Sequence, residues 1–115
     1  MSPGVHMDRF SLLDALRTHD KTWSVLASGH GVSNPDPPWK SSLSAVCDCL
    51  DASGVLPALE RRREEDELSR AVYGDVPSPE RQLLALAHTM LSRGLVDESA
   101  LIRRMQVVRA RLEAT

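Results

Sequence analysis

Two cysteines flank a carboxylate in Cys47-Asp48-Cys49, the first place in this chain to look for metal or redox chemistry. The apolar residues around them recur at helical spacing, and on a helix residues two apart point about 200° away from each other. Such a pair cannot close on one ion, so Cys47 is expected as a core thiol. The four histidines are His6, His19, His30 and His88, and no two have the spacing of metal ligands. His88 sits in a segment patterned as a core-packed helix, where a hydrogen-bonded structural role is expected. The third candidate is Arg61-Arg62-Arg63 followed by Glu64-Glu65-Asp66. Such a run ordinarily forms a solvated helix face laced with i,i+4 pairs. Arg62 and Arg63, however, fall within about 60° of Leu59 on the helical wheel. If Leu59 marks the buried edge, a guanidinium beside it can reach an anionic group across an interface. No Gly-rich phosphate loop, nucleophile elbow or plausible carboxylate pair is present.

The elements that must position these residues are helical. Residues 8–29 hold a partial first helix: Phe10, Leu13 and Leu16 give one stripe, Trp23 and Leu26 another, and His19-Asp20-Lys21 interrupts them. HGVSNPDPP, residues 30–38, is a loop, because proline removes a donor and forces extended backbone before it. Asp36 is expected to cap the next helix, with Pro37 at its first position. There Trp39, Leu43, Val46 and Leu50 recur at helical spacing until Gly54 stops the run. PALERRREEDELSRAVY, residues 57–73, predicts a charged helix whose apolar positions are scattered, so it is expected to be exposed or covered by a partner. After Gly74, Ser78 and Pro79 open a helix with Leu83, Leu84, Ala87, Met90 and Leu91 on its buried face. Past Gly94, Asp97 caps a last helix with a near-heptad stripe of Leu101, Met105, Val108 and Leu112. No strand alternation and no internal repeat is evident. The fold class read from this pattern is all-α: four or five helices in a small irregular bundle, with residues 1–38 as a partly helical N-terminal arm and 39–115 as the helical domain.

Composition narrows the role. The 115 residues fit one domain, and with aromatics at 3% the core must be built from Leu, Val, Ala and Met. The formal charge of −2, with both signs interspersed, leaves no basic stripe for nucleic acid. No apolar run has the length of a membrane span or a signal peptide, and the two cysteines are too close to staple a fold. The expectation is a soluble, cytoplasmic protein.

Taken together, Pro37-Pro38-Trp39, the helix stop at Gly54, Gly54-Val55-Leu56, the arginine helix with Arg62, Tyr73, Gly94-Leu95-Val96-Asp97, and Leu101 with Arg103-Arg104 resemble the N-terminal helical half of nitrile hydratase β subunits. The pattern lies on residues 39–105 without a gap. Nitrile hydratases add water to a nitrile to give an amide. The resemblance implies a metal-bearing α subunit as partner, holding cobalt(III) or iron(III) in a Cys-x-x-Cys-Ser-Cys motif whose oxidised cysteines are hydrogen-bonded by β-subunit arginines. Arg62 occupies the position of one such arginine. The substrate-pocket positions fall on Cys47, Leu50 and Tyr73, and the arm at 1–38 is expected to wrap the partner.

The chain also departs from the family. Where paired tyrosines and a tryptophan belong, it has Ser78-Pro79 and Gln82. Cys47 and Leu50 are small for their pocket positions, which implies a larger pocket. The family's C-terminal barrel has no counterpart here, which implies a separate barrel-type subunit, as in toyocamycin nitrile hydratase and thiocyanate hydrolase. A roomy pocket favours a nucleoside nitrile such as toyocamycin over thiocyanate. Nitrile hydratase activators share this helical half but usually carry a flexible basic tail, whereas RRMQVVRARLEAT reads as helix. That favours a subunit over an activator, and a helical adaptor without catalytic ties stands as the other alternative.

Overall fold

The computed structural model describes residues 9–17, 23–31 and 36–114, and His6 and His19 lie outside them. Six helices and no strand occur among the described residues: α1 (Ser11–Arg17), α2 (Trp23–Gly29), α3 (Lys40–Ala52), α4 (Ala58–Ala71), α5 (Glu80–Ser92) and α6 (Glu98–Glu113). The count exceeds four or five because the two stripes expected within 8–29 belong to separate helices, α1 and α2. None of the helices is long and apolar enough to cross a membrane.

α5 is the central element. Leu84, Ala85 and Leu91 join Leu13, Leu68, Val72, Tyr73 and Val76 in one buried cluster, while Leu86 joins Leu43, Cys47 and Leu56 in a second. α5 is therefore apolar around most of its circumference, as a helix covered on several sides must be. Burying each of these leucines stabilises the fold by about 1.5–3 kcal/mol.

Two sequence expectations change here. The 57–73 helix needs no partner to bury it, because α4 packs chiefly against α5. Its inward face is anchored by Leu68, which is 0% exposed, whereas Leu59 is 61% exposed and marks no buried edge. The buried line runs back from Leu68 through Glu64 to Arg61, positions four and seven residues earlier that share one helix face. Glu64 is the buried member that apolar periodicity cannot reveal. Its carboxylate accepts from Arg93 Nη2 (2.9 Å) and Nε (3.2 Å), and Arg93 Nη2 also reaches Glu60 (3.2 Å). This fork-to-carboxylate contact closes the charged side of the α4–α5 interface and raises the Arg93 pKa, the Glu64 hydrogen bond being the main cause. The segment expected as an arm also contributes to the chain's own core. Leu13 of α1 is 1% exposed, and the Leu12 N–H donates to Glu98 Oε2 at the start of α6 (3.3 Å).

The helix that lacks cover is α6. None of its residues is buried, and the stripe read as a core face is open at Met105, Val108 and Leu112. Only its first turns, at Leu101, pack against the core.

A repeat hidden in the sequence emerges as well. α3 begins at Lys40 and α5 at Glu80, both with 13 residues; α4 begins at Ala58 and α6 at Glu98. Three backbone hydrogen bonds recur in both turns. Ser53 and Arg93 N–H donate to Cys49 and Thr89, Gly54 and Gly94 to Asp51 and Leu91, and Leu56 and Val96 to Leu50 and Met90. The Leu95 N–H donates to the Met90 carbonyl, whereas its counterpart, the Val55 N–H, donates to the Ser53 hydroxyl. Gly54 and Gly94 have φ of +76° and +71°, a left-handed conformation that favours glycine at a helix C-terminus. The chain from α3 onward is thus two helical hairpins at a 40-residue offset. The hairpins share the glycine and a few apolar positions, such as Leu43 with Leu83 and Leu56 with Val96, too few for the repeat to be plain from sequence.

Helix starts are only partly as expected. Asp97 caps α6, accepting from the Ala100 N–H (2.9 Å). Asp36 does not cap α3: Pro37-Pro38-Trp39 forms a turn, α3 starts at Lys40, and the Asp36 carboxylate pairs with the Lys40 ammonium (3.1 Å). α5 starts at Glu80 without a side-chain cap from Ser78. The α4 N-terminus is served from outside the helix, Asp51 Oδ1 accepting from the Ala58 N–H (2.8 Å).

Candidate functional site

Trp39, at the turn into α3, stands where two open cavities meet. The first, about 410 Å³, is almost wholly apolar; Leu43 and Val46 of α3, Leu86 and Met90 of α5, Val96 and Leu101 line it with Trp39. The second, about 420 Å³, is mixed: Trp23 and Trp39 face it with Leu84, and Arg17, Asp75 and Glu80 supply charge. Arg17 Nε lies 3.4 Å from Asp75 Oδ2, a charge contact without hydrogen-bond alignment. Glu80 Oε1 accepts from the Trp23 backbone N–H, which ties α2 to the start of α5. The sequence held no periodic signal for this cluster, because Arg17, Asp75 and Glu80 meet only through the packing of α1 and α2 beside α5.

The residues singled out for chemistry are dispersed. Cys47 is buried and Cys49 exposed, both free thiols on diverging sides of α3. Burial pushes the Cys47 thiol up, opposed by the charge of nearby Arg61. Leu50 packs beside Cys47 in the second cluster, whereas Tyr73 belongs to the first, and none of the three lines either cavity of the chain by itself. Tyr73 Oη shares a 2.8 Å hydrogen bond with Nδ1 of His88, whose ring is wholly buried. Phe10 meets the same imidazole edge-on at 5.0 Å. His88 is therefore a hydrogen-bonded core residue, and the Tyr73 hydroxyl is engaged inside the fold.

Of the three consecutive arginines, Arg61 turns inward and pairs with Glu65 (3.2 Å), its Nε buried without a hydrogen-bond partner. Burial raises the Glu65 pKa, with Arg61 acting against it. Arg62 and Arg63 are exposed, and neither forms an ion pair among the described residues. Arg62 thus lies on the outer surface of α4, accessible to a second protein. Among the described residues no three His, Cys, Asp or Glu side chains are grouped to hold a metal ion.

The arrangement offers apolar surface, two indoles and accessible arginines, which is equipment for binding. Compared with known proteins, the chain matches no family model, no curated protein and no solved structure.

Proposed function

We propose that this chain is the small, non-metal-bearing subunit of a multi-subunit nitrile hydratase, working in the cytoplasm and inactive alone. The observation that carries the reading is spatial. Trp39 lies far in sequence from Val96 and Leu101, yet these three residues of the family resemblance line one open apolar cavity. An apolar concavity of this kind is normally covered in use, and a partner subunit is the cover expected from the resemblance. The partners are a metal-bearing α subunit and a separate barrel-type subunit.

In this assembly the α subunit holds cobalt(III), or iron(III), which supplies the chemistry of water addition to the nitrile. This chain's part is to present Arg62 to the oxygens of the oxidised cysteines. A planar guanidinium suits them, since it donates two parallel, charge-assisted hydrogen bonds. Arg62 is exposed and forms no ion pair with a carboxylate among the described residues, which leaves its guanidinium available for that task. By the resemblance, Cys47, Leu50 and Tyr73 belong to the substrate pocket of the assembled complex, where the small Cys47 and Leu50 would leave room for a bulky nitrile; none of the three lines a cavity of this chain by itself.

The test is co-expression of the full chain with a Cys-x-x-Cys-Ser-Cys subunit and a barrel-type subunit encoded beside it. The expected product is a three-part complex that hydrates nitriles. Arg62→Lys should assemble and keep its metal, yet lose roughly two decades of turnover, the rate equivalent of about 2.7 kcal/mol. Arg63→Lys should match the parent. An active complex without this chain, or full turnover in Arg62→Lys, would overturn the proposal.

A further inference from the structure

From the 40-residue repeat we infer that α6 docks an amphipathic helix of a partner protein, and that this helix brings a carboxylate to Arg104. The inference holds whichever enzyme the chain serves. In the first hairpin, α4 is covered by α5: Leu68 and Val72 are buried there, and Glu64 accepts from Arg93 of α5. The matched turn hydrogen bonds fix the register of the second hairpin to the first. In that register Leu68 and Val72 correspond to Val108 and Leu112, and Glu64 to Arg104. The two apolar positions stay apolar but are exposed, Leu112 at 72%. α6 therefore repeats the docking face of α4, and no helix among the described residues covers it.

The buried-face charge is reversed between the hairpins, and this selects the occupant. Where α4 offers a carboxylate to an arginine, α6 offers an arginine. The seam of Leu101, Met105, Val108 and Leu112 follows a 4-3-4 spacing, and Arg104, Arg109 and Arg111 flank it. Arg109 is tied to Glu113 of its own helix (2.9 Å). A second copy of α6 fits poorly: a parallel pair sets Arg104 against Arg109 of the other copy, and an antiparallel pair sets Arg104 against Arg111. Like charges so placed disfavour self-pairing, while an acid-flanked helix is attracted at every one of these positions.

The experiment uses the full chain and two synthetic four-heptad peptides. Both carry Leu at the seam positions; one is flanked by Glu, the other by Lys. The Glu-flanked peptide should bind at least about tenfold more tightly, a preference that shrinks as salt screens the charges. Arg104→Glu should reduce that preference by about tenfold, and Arg104→Glu with Arg111→Glu should reverse it. Val108→Asp should abolish binding while leaving the thermal midpoint of the free chain unchanged, because Val108 is exposed. Equal binding of the two peptides, or binding of neither, would overturn the inference. So would a concentration-dependent dimer of the chain that Val108→Asp dissolves, since that makes a second copy the occupant.

Discussion

Tyr73→Phe tests the polar centre of the core. The substitution keeps the ring in its buried cluster and removes only the hydroxyl, leaving Nδ1 of the wholly buried His88 without its 2.8 Å partner. An unsatisfied buried polar group costs about 1–3 kcal/mol. For a chain of 115 residues that lowers the thermal midpoint by roughly 4–12 °C, taking about 2.1 cal/mol/K of unfolding entropy per residue. The pH dependence supplies a second, independent reading. Burial pushes the Tyr73 phenol from 10.0 up to about 12. Within that window the unfolded chain releases a proton that the folded chain retains, so stability falls with rising pH. The stabilisation is intact below the unfolded value and is lost as pH climbs toward the folded one. The slope is about 1.4 kcal/mol per pH unit, or roughly 3 kcal/mol across the window. Tyr73→Phe lacks this one-proton slope, so the gap between parent and variant should close on the alkaline side. Urea unfolding at pH values from about 7 to about 11 measures both effects, the second as a loss of about 1.4 kcal/mol by the alkaline end. Tyr73 is the only tyrosine of the chain, so its phenolate absorbance in the folded state reports its titration directly. Phenolate forming near the ordinary value in the folded chain, with Tyr73→Phe as stable as the parent to within about 0.5 kcal/mol, would refute the reasoning.

Leu68→Ala should destabilise the chain by about 2–5 kcal/mol in urea unfolding, whereas Leu59→Ala should stay within about 0.5 kcal/mol, because only Leu68 lies under α5. Glu64→Gln should cost about 1.5 kcal/mol by the same measurement, at the low end for hydrogen bonds to charged groups because Arg93 is partly exposed. Glu60→Gln should cost at most about 0.5 kcal/mol, since Glu60 makes one half-exposed contact to the same guanidinium. In hydrogen exchange of the free chain, the amides of α4 and α5 should be protected and those of α6 beyond Arg103 should exchange far faster. A helix of 16 residues with no buried side chain has little packing to hold it closed. Equal protection of α4 and α6 would contradict the assignment of α6 as the open helix.

The sequence by itself determined the helical class, the two stops at Gly54 and Gly94 and the cap at Asp97. Each follows from local chemistry: a glycine with positive φ, a carboxylate in reach of the next backbone N–H, and apolar residues at helical intervals. It also determined that Cys47 and Cys49 diverge and that His88 is a core residue, because helical geometry and a neighbouring apolar stripe fix both. Which helix is covered was decided by tertiary structure alone. α4 has the fewer apolar residues, yet one face of it is covered, since Glu64 enters the interface beside Leu68 as an ion pair with an arginine from 29 residues further on. α6 has the cleaner stripe and is open, because a stripe states only that a helix has a face to bury and nothing about whether its own chain supplies the cover. The same limit governs the arginines: the inward edge of α4 is set by contact with α5 through Leu68, so Arg61 turns in and Arg62 stays at the surface. The cavities at Trp39 arise where α3 meets α5 and the start of α6, and where α1 and α2 meet α5, and no local signal encodes a meeting of residues so far apart in the chain.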